Sequence, residues 1–478
     1  MDPVVLARMQ FAFTVGFHIL WPTLTIGLAS FVAMLSGLWW RTGRTVYRDL
    51  MHFWIKIFAL AFVVGALTGV VLSYEIGTNW AGFSRSVSNV LGPLFMYEVL
   101  TAFFLEAGFI GIMLFGAKRV GKGLHFFSCC MVAGGTLMSA TWILAANSWM
   151  QTPAGAAADA DGIFHVLDWW QVIFTASFPY RLAHMVCASF VTVSFVVAGV
   201  SSFHLLRRQS VEASRVAFSM AMWMALVLTP TQIVIGDFQG RNTLFHQPTK
   251  LAAMEGLWDT TRGAPMTVLA WPDMEEARNL YAIEVPKVAS LYLTHSWNGE
   301  VKGLKAVPRS EWPYVPIVFF AFRIMVGIGA ILLAIAVTGG VLRLQRRLYD
   351  TRWFQFVSLA ATPLGFIAVL AGWTTTETGR QPWIVYGHLR TADAVAPVTA
   401  NAVLLSLTAF LAIYALILLV FLWFAARIVI AGPAGRQTVT SEQIRPGLGR
   451  SATALLGVAP TEPSSAARIT AANGRVIP

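Results

Sequence analysis

Nine stretches of this chain are apolar for about the length a helix needs to cross a bilayer: roughly residues 11–40, 53–75, 93–117, 124–148, 180–206, 215–236, 317–342, 353–373 and 400–431. A hydrocarbon core of ~30 Å takes about 20 residues in helical form. Inside that core every main-chain polar group must find its partner within the protein. Runs this long, without two-residue alternation, therefore demand helices rather than a barrel. The expected fold is all-α: a polytopic membrane protein with nine transmembrane helices. Composition agrees, with 56% hydrophobic and only 12% charged residues, against about 25% charged in a soluble domain. A water-soluble enzyme, a disordered chain and a secreted disulfide scaffold are all excluded. The three cysteines, Cys129, Cys130 and Cys187, lie inside apolar runs and have neither disulfide nor zinc spacing. Arg8 precedes a run too long for a signal peptide, so no cleaved leader is expected.

The net charge of +11 lies between the apolar runs, which marks topology and not nucleic-acid binding. Arg41, Arg44 and Arg48 follow the first run, and Lys118, Arg119 and Lys122 the third. Arg207, Arg208 and Arg215 follow the fifth, and Arg343, Arg346, Arg347 and Arg352 the seventh. The alternate short connections carry only Arg85, Arg380 and Arg390. The positive-inside rule then puts the N-terminus outside and the C-terminus in the cytoplasm. The chain divides into helices one to six (1–236), an outer loop (237–312), helices seven to nine (313–431) and a tail (432–478). The loop mixes charges, prolines and aromatics, so an ordered functional loop is expected. The tail is rich in Gly, Ala, Ser, Pro and Thr and reads as disordered.

Ionisable side chains inside a membrane cost at least ~2.5–3.5 kcal/mol each and need a reason. The deep candidates are His18, Glu98, Glu106, His184 and Arg323, together with the thioether of Met325; Glu377 lies just past the eighth run. His18 and His184 read equally as hydrogen-bonded packing or as haem or metal ligands. Arg323 wants an anionic partner, for which a haem propionate would serve. A thioether opposite an imidazole is one way to hold a low-spin haem. Glu98 and Glu106 are eight residues apart, which on a straight helix is about 80° around the axis and about 12 Å along it. They could be structural or could mark a proton path. Trp373, Glu377, Arg380 and Trp383 could form no more than an aromatic belt with an interfacial ion pair.

Six segments together carry a resemblance: FAFTVGFHILWP around His18, FFLEAGF around Glu106, RLAHMVCASF around His184, TKLAAMEGLWDT in the loop, AFRIMVG around Met325 and ETGRQPW around Glu377. In this order the chain resembles subunit I of the cytochrome bd-type quinol oxidases, over about residues 1–430. The short outer loop and TTTETGRQPW look more like the cyanide-insensitive branch. The resemblance implies a quinol:oxygen oxidoreductase of the bacterial inner membrane. It implies a low-spin haem b held by His184 and Met325, and two high-spin haems held by His18 and Glu377: one haem b, and either haem d or a third haem b. Which ligand carries the O2-binding haem stays open. Trp373 and Arg380 would line the diheme site, Arg323 the low-spin haem, and Lys250 and Glu255 the quinol site. Glu98 and Glu106 would deliver protons. The implied partners are oxidase subunit II, a small single-span subunit, ubiquinol, O2 and the lipid bilayer.

On that reading quinol releases its protons outside, and O2 reduction draws protons from the cytoplasm. Charge then crosses the membrane without a dedicated pump, against ~2.3 kcal/mol per 100 mV. Two other classes compete: a haem b anchor passing electrons to another subunit, and a haem-free proton-coupled transporter. The anchor gives Glu377 nothing to do. The transporter would show internal repeats and broken helices, which the sequence lacks.

Overall fold

The computed structural model describes residues 2–433. Of the expected tail, residues 434–478 lie outside the described residues. Among the described residues, nine helices are long and apolar enough to cross a membrane: Pro3–Thr42, Thr45–Thr78, Ala81–Lys118, Lys122–Gln151, Phe178–Leu206, Val211–His246, Val315–Leu344, Arg352–Thr378 and Ala400–Ala431. They are spans one to nine below, and each contains one of the nine apolar runs. The helices outrun the apolar stretches because main-chain hydrogen bonding does not stop where hydrocarbon ends. Span one starts at Pro3, with Asp2 as N-cap accepting from Val4 N–H, the arrangement that satisfies a free helix N-terminus. Span six runs to His246, through polar residues that the sequence placed in the loop from 237 onward.

Two spans are irregular. Span three is α-helical over Ala81–Tyr97, widens to a π-helical turn over Glu98–Phe103, and resumes as α-helix over Phe104–Phe115. Span eight is built from Arg352–Ala360 and Leu364–Thr378, with Pro363 capping the second piece.

Spans one and five are the centre of the bundle; 72% of each apolar window is enclosed, against 17% for span nine and 22% for span three. Lipid is as apolar as a side chain, so helices here are held by close packing and not by expulsion from water. Gly27 shows how close that packing is. A Cβ on it would lie 2.8 Å from the Ser189 carbonyl oxygen and 2.5 Å from Val193 Cγ2, so spans one and five meet backbone to side chain at this point. Around it Phe31, Trp54, Phe58, Phe195, Phe218 and Phe354 are fully buried.

Alternating helix directions gather the Arg/Lys-rich connections at one end, the basic end, where Arg44–Glu212 and Arg215–Asp350 pairs join neighbouring connections. The opposite, loop end carries the long connection between spans six and seven. That connection is folded, as expected. It contains a helix at Pro248–Glu255, an antiparallel hairpin of Met266–Asp273 with Arg278–Val285, and a helix at Val288–Thr294. Its own small core joins Leu251, Met254, Leu257, Trp258 and Leu293 to Val315 and Val318 of span seven. Short two-stranded sheets decorate the loop end, while the membrane part is helical throughout.

Candidate functional site

The polar groups of the loop end converge on Glu377, at the end of span eight. Its Oε2 accepts from Arg380 at 2.6 Å. Its Oε1 accepts from Asn147 Nδ2 at 3.0 Å and Gln151 Nε2 at 3.2 Å, both from the last turns of span four, with Arg181 of span five at 4.0 Å. Arg181 also donates to the Asn147 side-chain oxygen. Gln151 reaches further: its Oε1 accepts from Lys250 Nζ at 2.5 Å, and the same ammonium donates to Gln247 at 2.5 Å. Three cations thus surround one carboxylate. Arg380 and Lys250 are only 5% and 4% exposed. Arg181 Nε and Arg380 Nη1 are buried without a partner among the described residues. Burial, with Arg181 and Arg380 nearby, pushes the Lys250 ammonium well below the ordinary lysine value, and Glu377 only partly offsets this.

The two histidines and Met325 sit against glycines. His184 of span five faces Gly236 of span six, where a Cβ would come to 3.5 Å from its Cε1. Its Nδ1 is buried with no partner among the described residues, an unusual state for a polar atom in an apolar setting. Met325 of span seven faces Gly372 of span eight, where a Cβ would lie 2.7 Å from the sulfur. Spans five to eight pack on one another, so both side chains belong to the same four-helix group. His18 of span one lies against Gly69 of span two, and its Nδ1 is 2.8 Å from Thr68 Oγ1. Trp373 lies one turn before Glu377 on span eight.

Arg323 was expected to seek an anion, and its donors instead go to main-chain carbonyls. Nε lies 3.1 Å from Thr267 O and 3.2 Å from Val268 O. Nη1 lies 2.6 Å from Met254 O and 3.2 Å from Phe319 O, and the guanidinium stacks on the Phe319 ring. These carbonyls belong to the loop helix, the hairpin and span seven. Arg323 therefore clamps the loop onto the helix that carries Met325 two residues later. Glu255, 2% exposed, bonds Tyr292 in this clamp. Burial raises its carboxyl above the ordinary range, opposed by the Tyr292 hydrogen bond and the Arg323 charge. Burial, then the neighbouring Glu255, raises the Tyr292 phenol. Gly256 closes the loop helix at φ +70° with the Phe319 ring where a Cβ would be, a position only glycine fits.

Glu98 and Glu106 both face span four. Ser139 Oγ donates to Glu98 at 2.8 Å, and Glu106 packs on Gly135, one turn away on the same helix. The 80° separation expected of a straight helix does not apply, because the π turn between them takes up an extra residue. Eight residues then act as about seven, close to two full turns, and both carboxyls come to one face.

Residues 6–433 match the family described as cytochrome bd terminal oxidase subunit I. The chain is 36% identical over 436 residues to the cytochrome bd ubiquinol oxidase subunit 1 of Bacillus subtilis, a match covering 88% of this chain and 93% of the relative. It is 31% identical over 504 residues to the cytochrome bd-II ubiquinol oxidase subunit 1 of Escherichia coli, covering 91% and 98%. A solved bd oxidase from Geobacillus thermodenitrificans is similar with a TM-score of 0.84 at 28% identity, covering 90% of this chain and 99% of that one. The chain belongs to the cytochrome bd terminal oxidase subunit I family.

As a member of that family it is a haem-dependent oxidoreductase of respiratory electron transport and a multi-pass protein of the bacterial inner membrane. Within this subunit I, sequence reasoning overlooked Arg181, Asn147 and Gln151 as partners of Glu377. The one available signal was the four-residue spacing of Asn147 and Gln151 at the loop end of the fourth apolar run. Replacing Glu377 by Gln removes the one carboxylate that, among the described residues, faces Arg380, Lys250 and Arg181. We expect thermal unfolding of the detergent-purified oxidase to register a loss of about 3–5 kcal/mol, with partial recovery in the Glu377→Gln/Arg380→Gln pair. An unchanged unfolding temperature in the single variant would show that the cluster does not carry that charge balance.

Proposed function

We propose that this chain is the haem-bearing subunit of a terminal quinol oxidase that oxidises ubiquinol at the loop end and reduces O2 to water at a diheme site. The single observation that carries this reading is the set of unsatisfied groups at the loop end. Among the described residues, a buried imidazole nitrogen of His184 lacks a partner, and the Glu377 cluster holds three cations against one carboxylate, with two guanidinium donors unused. Imidazole, thioether and carboxylate are iron ligands, and surplus buried cations suit the propionates of a porphyrin. The glycine opposite Met325 leaves room where a Cβ would press on the thioether, while Cβ atoms at Gly236 and Gly69 would meet His184 and His18 only at ordinary contact distance.

His184 and Met325 would hold the low-spin haem b. His18 and Glu377 would hold the two high-spin haems, one haem b and the other haem d or a third haem b. Arg380, Arg181 and Lys250 would neutralise propionates, and Trp373 would wall the diheme site. Bound haems supply one-electron transfer between quinol and O2. The chain's own work is to position quinol and to move protons. Glu255 is placed to take a proton from a quinol hydroxyl, with Tyr292 and Arg323 fixing the carboxyl. Lys250 faces inward toward Gln151, so its part in the quinol site is to join the loop helix to the Glu377 cluster. Glu98 and Glu106 would relay protons along span three, against span four, from the basic end, which the charge pattern makes cytoplasmic. The exposed apolar faces of spans three and nine would meet lipid and oxidase subunit II, with a small single-span subunit alongside.

The test is spectroscopic. Reduced-minus-oxidised and CO difference spectra of the purified oxidase should show low-spin haem b lost in His184→Ala and in Met325→Leu. CO binding should survive in both variants. Haem without any CO binding would indicate an anchor instead, and colourless protein a transporter. Glu106→Gln should leave those spectra intact and slow charge separation during turnover at least tenfold, and unchanged charge separation would remove Glu106 from the relay. Glu255 accepts a proton only when ionised, and its carboxyl is raised by burial. Quinol oxidation should therefore fall as pH drops through that raised value. In Glu255→Gln that acidic limb should disappear along with most of the turnover; a limb that persists would assign it to another group.

A further inference from the structure

Span two carries a buried carboxylate that no step above uses. Glu75 is 1% exposed, one turn from the loop end of the helix. Its Oε2 accepts from Thr14 Oγ1 at 2.5 Å, while its Oε1 is buried with no partner among the described residues. Two more polar atoms beside it are in the same state: Asn79 Nδ2 and the Tyr414 hydroxyl of span nine. Glu75 lines a cavity of about 160 Å³ with Gln10, Thr78, Asn79 and Ser406, where spans one, two and nine meet. A cavity of this size has room for several waters, and the polar side chains of Gln10, Thr78, Asn79 and Ser406 in its lining provide the partners such waters need.

The position relates this cavity to His18. Thr14 is one helical turn from His18 on span one, and Thr68 is two turns from Glu75 on span two. The contact between the two spans is thus a pair of polar rungs, His18–Thr68 and Thr14–Glu75, stacked toward the loop end. Glu75 makes no ion pair among the described residues. The titratable groups facing it are Tyr414 of span nine, Tyr74 of its own span and His18 one turn deeper on span one; the cavity lining holds no Lys, Arg or His.

We propose that Glu75 is a redox-linked proton site for the haem bound at His18, exchanging protons with the loop-end surface through the water cavity. An electron arriving beside His18 adds a negative charge to a low-dielectric region. A proton moving from the cavity waters onto Glu75 Oε1 cancels it, and leaves by the same waters on reoxidation. The inference rests on the assignment of a haem to His18, and the electrons are those of quinol oxidation.

The experiment uses the intact oxidase with its second subunit. The midpoint potential of the haem lost in His18→Ala is titrated at several pH values, and reduced-minus-oxidised infrared difference spectra are recorded. In the parent protein that haem should show close to one proton per electron and a carboxyl band sensitive to D2O. In Glu75→Gln the pH dependence should fall to near zero and the band should vanish. An unaltered slope and band in that variant overturn the inference. If Glu75→Gln does not assemble, Thr14→Val keeps the carboxyl but removes its donor, and the band must then shift; an unmoved band is equally fatal. Full pigment retained in His18→Ala overturns the haem assignment and this inference with it. Pigment lost with the slope unchanged overturns this inference alone.

Discussion

A largely buried carboxylate facing three cations fixes how the loop end of this protein is assembled. The groups around Glu377 come from four elements: Arg380 from the turn after span eight, Arg181 from span five, Asn147 and Gln151 from span four, and Lys250, through Gln151, from the loop helix. Desolvated charges lose several kcal/mol each unless their geometry and hydrogen bonds are good. Any slip of one helix along another would strand a guanidinium or an ammonium in an apolar setting. Helix packing in lipid has no hydrophobic drive to set register, so the cluster does so where it is buried.

The same logic ties the soluble-looking loop to the membrane. Arg323 sits in an apolar helix and spends its donors on carbonyls of three separate segments while stacking on Phe319. Glu255, buried against Tyr292, lies in its field. The loop helix is thereby pinned at both ends. Arg323 holds its C-terminal end above Met325, and Lys250 ties its first turns to Gln151 and hence to Glu377. A displacement of the loop helix would act on both ends through buried contacts and not through a flexible linker.

The membrane makes much of this architecture readable from sequence. Length and apolarity fix nine spans because a bilayer permits little else, and depth singles out His18, Glu98, Glu106, His184 and Met325 because buried polarity is costly. Partners were less readable, since register between helices is a tertiary property. Arg323 gives its hydrogen bonds to main-chain carbonyls, which cannot be seen in side-chain identities, while the Glu255 carboxyl lies in its field. The Glu98–Glu106 angle of a straight helix does not hold, and nothing in EVLTAF announces a π turn. Glu75, at the very end of its apolar run, is not among the residues that depth singles out, because its closure by Thr14 and the neighbouring Tyr414 is again a matter of register between helices.

Span four gives the clearest reason why these parts work as one unit. Its functional positions recur in steps of four or eight residues: Gly135 against Glu106, Ser139 against Glu98, Asn147 against Glu377, Gln151 between Glu377 and Lys250. Four residues on an α-helix turn 400°, so each step of four advances the polar ridge by about 40°. Over the ~24 Å from Gly135 to Gln151 the ridge winds from the side facing span three to the side facing spans five and eight. A strict seven-residue pattern would have kept every polar group toward one neighbour. The four-residue drift instead lets a single straight helix offer the two carboxyls of span three at one level and the Glu377 cluster at the next. A proton relayed along span three would thus be delivered on the helix that also holds the carboxylate of the proposed O2-reducing site.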